Sequence, residues 1–206
     1  MPVDTHYSIN LDPATHIYTV NGKPKINPTT VLKDLGISKD YSGIDPEVVR
    51  HASERGTATH LAILLYEQGS LDFDSIDPEV APYFEGYLKF RADHEWHALI
   101  ERCEVALYHP ALDYCTTLDA VGRLDGELAI IDFKTSYKHD RAVEIQTAAQ
   151  LLAWNANNGL LETRSRYSLQ LTKQASYRLR DHSAVPASVW SSCLDLWRWL
   201  GGETVA

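Results

Sequence analysis

The chain has 206 residues, 44% hydrophobic and 23% charged, with a formal net charge of −9; that is ordinary globular composition, and enough chain for one domain with a full core. No apolar run approaches the roughly 18 residues needed to cross a bilayer. The acidic balance argues against a nonspecific nucleic-acid coat protein, but does not exclude an enzyme that confines positive charge to one cleft.

The predicted elements begin with a hairpin: HIYTV, then Asn21-Gly22 as the tight turn, then KPKI. Thr29 or Thr30 is the expected cap of a short helix that Gly36 stops. Pro46 opens a helix running to about Gln68, with Gly69 as its stop. A second long helix is expected from Pro82 to about Ile100, with Tyr83, Tyr87 and Phe90 near one stripe. Cys103 to Tyr108, Thr116 to Leu124 and Leu128 to Lys134 read as strands, the last two joined at Asp125-Gly126-Glu127. A helix over 142–157 closes at Gly159, and Tyr167 to Thr172 with Ser176 to Arg180 reads as another hairpin. Pro186 opens a final helix ended by Gly201, whose apolar stripe is Val189, Cys193, Leu196 or Trp197, and Leu200. This order predicts an α+β (mixed α/β) fold, a small central mixed sheet flanked by helices.

Cys103, Cys115 and Cys193 contain no CxxC pair, which argues against a disulfide framework, a structural zinc site or an iron–sulfur cluster. The opening MPVDTHYSIN lacks the basic-then-apolar order of a signal peptide. A cytoplasmic location, with no membrane partner, is the expectation.

The segment GRLDGELAIIDFKTS raises the chemical question. Charged residues in a buried strand cost free energy unless a partner compensates them. Strand side chains alternate, so Leu128, Ile130, Asp132 and Lys134 share one face, and Ala129, Ile131 and Phe133 share the other. Asp125, across the turn, is expected to converge with Asp132 into an oxygen-rich pocket suited to Mg²⁺ or Mn²⁺. Lys134 beside them suits a phosphate oxygen or a nucleophilic water. A bare Asp-x-Lys is by itself most often a surface ion pair. Gln146 and Gln150 lie four apart on the next helix, with Trp154 one turn on; Gln146 reads first as a solvated amide and Gln150 as functional. Gly56-Thr57-x-x-His60 sets a glycine one turn before a histidine inside a helix, where glycine costs about 1 kcal/mol against alanine. A neutral imidazole there is a competent metal ligand, although a lone histidine is more often a satisfied core residue.

Taken in order, Gly56-Thr57-x-x-His60, Glu104, Gly122-Arg123-Leu124-Asp125-Gly126, Ile131-Asp132-Phe133-Lys134-Thr135 and Gln150-Leu151-x-x-Trp154 resemble the RecB-type nuclease branch of the PD-(D/E)xK superfamily. Lambda exonuclease and the restriction endonucleases are more distant relatives. The resemblance spans about half the chain; its flanks are similar to the small versions found in phages and in mitochondrial genome maintenance. It implies a restriction-endonuclease-like core and one nuclease domain over 1–206, laid out as an N-terminal hairpin and short helix (1–45), a catalytic core (46–182) and a C-terminal helix (183–206). It implies a DNA exonuclease of processing, recombination or repair that uses one or two Mg²⁺ or Mn²⁺ ions and has no iron–sulfur cluster. By the same resemblance His60, Asp125, Asp132 and the Phe133 carbonyl hold metal, Lys134 orients the attacking water and the phosphate, and Gln150 lies near the substrate backbone. Glu104, Gly56, Thr135 and Trp154 support the site, Trp154 standing where the family usually has tyrosine. Arg55, Arg123, Lys138, Arg141 and Gln146 are the expected nucleic-acid contacts. The implied partners are single- or double-stranded DNA and a single-strand annealing or binding protein. Two rivals remain at this point: a catalytically silent member of the fold that binds nucleic acid or protein, and an unrelated interaction domain in which Asp132 and Lys134 form an ion pair.

Overall fold

A computed structural model of the chain describes residues 7–12, 15–136, 141–159 and 163–202. Its first unit is a three-stranded antiparallel sheet of β1 (Ile9–Leu11), β2 (Tyr18–Val20) and β3 (Lys23–Lys25). The turn between β2 and β3 uses Asn21 at φ 51° and Gly22 at φ 76°. Both central residues are left-handed, as the twist of a two-residue hairpin demands. Asn27, rather than either threonine, caps α1 (Pro28–Asp34): its side chain accepts from the Thr30 N–H at 3.0 Å, and Pro28 fills the first helical position.

Helix α2 (Pro46–Glu67) is capped by Asp45 and stops before Gly69, at φ 69°. Helix α3 (Ala81–Asp93) ends sooner than its periodicity predicts. The residues beyond it form β4 (Trp96–Ala98), which pairs with β7 (Ala120–Leu124) and buries Trp96. Gly122 permits that pairing, because a Cβ there would come within 2.4 Å of the His97 carbonyl oxygen. Tertiary pairing thus overrides the local helix signal.

The run 116–124, which reads as a single strand, is divided. Its first part belongs to β6 (Tyr114–Leu118), which pairs with β5 (Val105–His109); its second part is β7, which pairs with β8 (Glu127–Lys134). The residue at which the chain changes sheets is Asp119. Strand β8 then runs parallel to β9 (Ser165–Thr172) through α4 (Arg141–Asn157), and β10 (Ser176–Asp181) closes the order β10-β9-β8-β7-β4. Helix α5 (Ser188–Trp199) follows. The fold is mixed α+β, with a mixed central sheet and helices α1–α5 around it.

The sheet separates two apolar cores. Ile130 and Val121 pack with Trp154 of α4, Trp190 and Leu194 of α5, and Val31 of α1. Ala129, Ile131 and Phe133 pack with Ile63 of α2 and Tyr87 and Phe90 of α3. The alternation expected along β8 is therefore observed. On α5 the buried face is Trp190, Leu194 and Trp197, one position from the predicted stripe, and Leu196 and Leu200 stand exposed. No helix among the described residues is long and apolar enough to cross a membrane.

Candidate metal centre

The site forms at the C-terminal end of β8. Asp132 is fully buried, and α4 arrives across it with two amides: Gln146 Nε2 and Gln150 Nε2 each donate to Asp132 Oδ1 at 3.1 Å. Gln150 also donates to the Thr117 carbonyl at 3.1 Å, which ties α4 to β6. Asp132 Oδ2 is paired with the Lys134 ammonium at 2.6 Å. Two amides thus hold one oxygen of the carboxylate and Lys134 holds the other. Burial pushes the Lys134 ammonium down, but Asp132 and then Asp119 outweigh it and hold its pKa above the ordinary lysine value. Lys134 is accordingly a fixed cation rather than a base.

The β7–β8 register decides which second carboxylate joins Asp132. Leu124 faces Glu127 across the turn, and Ala120 faces Ile131. One step further brings Asp119 level with Asp132. Asp119 Oδ2 accepts the Phe133 N–H at 2.8 Å, a contact that pins the residue at the point of the sheet switch.

From α2, His60 reaches the same place. Its Nδ1 lies 3.1 Å from Glu104 Oε1 and 3.9 Å from Asp119 Oδ2, and its Nε2 lies 3.2 Å from the Phe133 carbonyl. The His60 and Phe133 rings meet edge to face at 5.6 Å. Glu104 precedes β5 rather than lying in it, at φ 51°, and its N–H donates to the Asp119 carbonyl at 3.1 Å. A left-handed glutamate is costly by about 1–2 kcal/mol, and the conformation aims its carboxylate at His60. Gly56, one turn before His60, sits against Thr135: a Cβ there would lie 3.4 Å from the threonine Oγ1.

His60, Glu104 and Asp119 offer ligand atoms that all lie within 4.8 Å of one another. Burial pushes the imidazole down, but Asp119 and Glu104 reverse this and raise its pKa to about 9. The metal-free site therefore holds an imidazolium whose two N–H groups point at Glu104 and Phe133. Burial raises Asp119 to about 7, opposed by His60 and reinforced by Asp132. Two carboxylates and an imidazole, with the Asp132–Lys134 pair on the neighbouring strand, fit a divalent cation that prefers oxygen and accepts nitrogen. That cation would replace the His60 proton as the positive charge at the centre.

No protein-family model matches the chain, and no curated protein matches it.

Several residues expected at the site lie elsewhere. Asp125 is in the β7–β8 turn, where its carboxylate accepts the Glu95 N–H at 3.0 Å and sits 3.0 Å from His94 Nδ1. The His94 and Glu95 contacts hold its carboxyl below the ordinary value. Six residues of strand separate it from Asp119, roughly 20 Å at about 3.3 Å per residue, so it cannot share a metal with Asp132. Arg123 projects from the same hairpin and donates to the Gly126 carbonyl at 2.9 Å. Arg55 stacks over Tyr83, 5.1 Å from its ring centre. Trp154 is a core residue. Gln150 is buried beneath Asp132 and positions it, out of reach of a substrate backbone. The Phe133 carbonyl faces His60. Arg141 is exposed at the start of α4, and Lys138 falls outside the described residues. The residue that sequence reasoning missed is Asp119. The signal was present in the hairpin: a turn at Asp125-Gly126 places the partner of Asp132 at position 119, not at the turn itself.

Proposed function

We propose that the chain is a divalent-metal-dependent phosphodiesterase that hydrolyses DNA, with the restriction-endonuclease-like arrangement its motifs resemble. One observation carries the reading: Asp119, brought level with Asp132 by the β7–β8 register, meets His60 and Glu104 at a single point. A surface ion pair needs none of this construction; here Asp132 is fully buried and two glutamines hold it.

His60, Glu104, Asp119 and Asp132 would hold Mg²⁺ or Mn²⁺, which supplies a polarised phosphoryl oxygen and a water acidic enough to ionise near neutrality. The chain's own residues do the rest. Gln146 and Gln150 fix the Asp132 carboxylate, so no reorganisation is needed when charge develops. Lys134, about a quarter exposed, stands at the solvent side of the carboxylates and can hold a non-bridging phosphate oxygen or orient a water. The Phe133 carbonyl, 3.2 Å from His60 Nε2, holds the ring so that Nδ1 faces Glu104 and Asp119, where the cation would sit. Exonuclease action is the weight of the resemblance.

The deciding experiment is digestion of end-labelled linear and circular DNA, single- and double-stranded, with Mg²⁺, Mn²⁺ or EDTA. Wild type should consume linear DNA only with metal, and Lys134→Ala should lose cleavage by a hundredfold or more. Cleaved circles would make the enzyme an endonuclease. Metal-independent cleavage, or full activity of Lys134→Ala, would refute the reading.

A further inference from the structure

Helix α5 carries two apolar stripes, and the fold of one chain uses only the first. Trp190, Leu194 and Trp197 are buried in the core that α1 and α4 share. The second stripe lies beside them, centred on Leu196. At 3.6 residues per turn, Val189, Ser192, Cys193, Trp199 and Leu200 all fall within about 60° of Leu196. Leu196 is 47% exposed, Leu200 62% and Trp199 81%, the highest value for a large apolar side chain among the described residues. Val189 and Cys193 are only partly covered. A helix apolar around so much of its circumference belongs in an interior. Three large side chains exposed within five positions also exceed the scattered leucines of an ordinary surface. Together they present roughly 400 Å² of apolar surface, the size of the largest and often functional patch on a soluble monomer.

The make-up of the stripe indicates what covers it. It is uncharged, on a chain of net charge −9. Asp195 lies about 100° round the helix from Leu196 and Arg198 about 160°. Arg198 is also drawn back to the β5–β6 turn, where it donates to the Leu112 carbonyl at 2.7 Å. Two copies of an acidic chain repel across most of their surfaces, and this face is free of that repulsion. Its polar demand is already met: Ser192 Oγ donates to the Ser188 carbonyl of its own helix at 3.1 Å, so covering it strands no donor. The stripe is also graded in size. Ser192 and Cys193 are small and precede Leu196; Trp199 and Leu200 are large and follow it. Packed antiparallel on its own copy, about a two-fold axis at Leu196, the stripe sets large against small. Trp199 of each copy lies over Ser192 of the other, and Leu200 over Cys193. A parallel pair would set tryptophan against tryptophan. A two-fold interface requires a patch complementary to itself, and this one is.

We propose that the Leu196 face of α5 is a homodimer interface, in which two copies of the chain pair antiparallel through this helix. The inference does not depend on the phosphodiesterase reading. The exposed side chains of two copies would bury about 800 Å², and about 1,000 Å² with their flanks, which is below the standard range for stable complexes. The dimer is therefore weak and reversible, with a dissociation constant on the order of 10 µM. Added salt should strengthen it, because screening reduces the repulsion between two acidic chains and the interface itself contains no ion pair to weaken.

Sedimentation equilibrium of the full chain in EDTA, from about 1 to about 200 µM, would measure the association. Wild type should move from monomer towards twice the monomer mass across that range, and further at higher salt. Leu196→Glu should stay monomeric throughout with an unchanged melting temperature, since Leu196 is already half in solvent. Cysteine trapping tests the geometry. In a Cys193→Ser background, Leu196→Cys places a thiol at the two-fold axis and Asp195→Cys places one off the stripe. Mild oxidation at about 100 µM should link Leu196→Cys into a disulfide dimer at least tenfold faster than Asp195→Cys. A wild type that remains monomeric at about 200 µM would overturn the proposal. So would a dimer that survives Leu196→Glu, or equal trapping of the two cysteine variants. Monomeric protein that binds anionic lipid vesicles, and loses that binding in Leu196→Glu, would assign the stripe to a membrane surface and overturn self-pairing.

Discussion

Asp119→Asn should separate the stability of the metal centre from its function, and in opposite directions. Burial raises the Asp119 carboxyl from 3.8 to about 7, with His60 opposing and Asp132 reinforcing the rise. Above neutrality the fold therefore holds a carboxylate whose ionisation costs about 4 kcal/mol, taking roughly 1.4 kcal/mol for each pKa unit. Asparagine removes that cost and can still accept the Phe133 N–H that Asp119 Oδ2 accepts at 2.8 Å. Against this gain stands about 1–2 kcal/mol for a buried amide N–H₂ without a good acceptor; the attraction of His60 is already contained in the net rise. The balance is about 2–3 kcal/mol in favour of the variant. For a chain of this length that raises Tm by roughly 4–12 °C. Adding Mn²⁺ should reverse the ranking, because wild type gains stability from a ligand that binds only the native state and the variant gains far less. Thermal melts at about pH 8, with EDTA or with Mn²⁺, read both effects. A metal-free variant clearly less stable than wild type would refute the energetic reasoning; an undiminished Mn²⁺ shift in the variant would refute the metal site.

Asp125→Asn should leave the Mn²⁺-induced Tm shift and DNA cleavage at wild-type levels, since its carboxylate serves His94 and Glu95 in the turn; loss of either would return it to the site. The folded protein binds protons more tightly than the unfolded chain at Asp119, raised to about 7, and at His60, raised to about 9. The stability these two groups contribute to the metal-free protein should therefore be present at low pH and be lost as pH rises through those values. A metal held through His60 would expel its proton, so the Mg²⁺-induced Tm shift should grow from about pH 6 to about pH 8.5, and a flat profile would contradict the exchange. Gln150→Leu should keep the helix but leave Asp132 Oδ1 to Gln146 alone and take the side-chain donor from the Thr117 carbonyl, costing about 1–2 kcal/mol in chemical denaturation and cutting cleavage more than substrate binding. Gly56→Ala should be tolerated and add up to about 1 kcal/mol of stability, because its Cβ meets Thr135 at ordinary contact distance, 3.4 Å, and glycine is the weaker helix former. A large loss would show that α2 cannot shift there.

What could be read from the amino acids and what could not divides along a physical line. The face shared by Asp132 and Lys134 follows from the period of a strand, and the face shared by Gln146 and Gln150 from the period of a helix; both are local and both are observed. The turn residues Asn21-Gly22, Gly36 and Gly69 were legible for the same reason, because left-handed backbone favours those side chains. Asp119 was hidden because the run 116–124 is uniformly strand-like, and nothing within it marks where the chain leaves β5 for β8. That division depends on which strands compete for pairing, a property of distant residues. Glu104 was noticed but placed on a strand, since its left-handed backbone is imposed by contacts with Asp119 and His60 rather than by its own preference. The same distinction explains the substitution of Asp119 for Asp125. An aspartate in a turn is conspicuous because Asp-Gly is good turn chemistry, and for that reason its presence there needs no further cause. An aspartate at a sheet switch, buried to the point of a raised pKa and facing a second buried carboxylate, has no local reason to be there. Its cost is intelligible when a cation is bound at the centre, and the carboxyl that is expensive to the metal-free fold is therefore the better guide to the site.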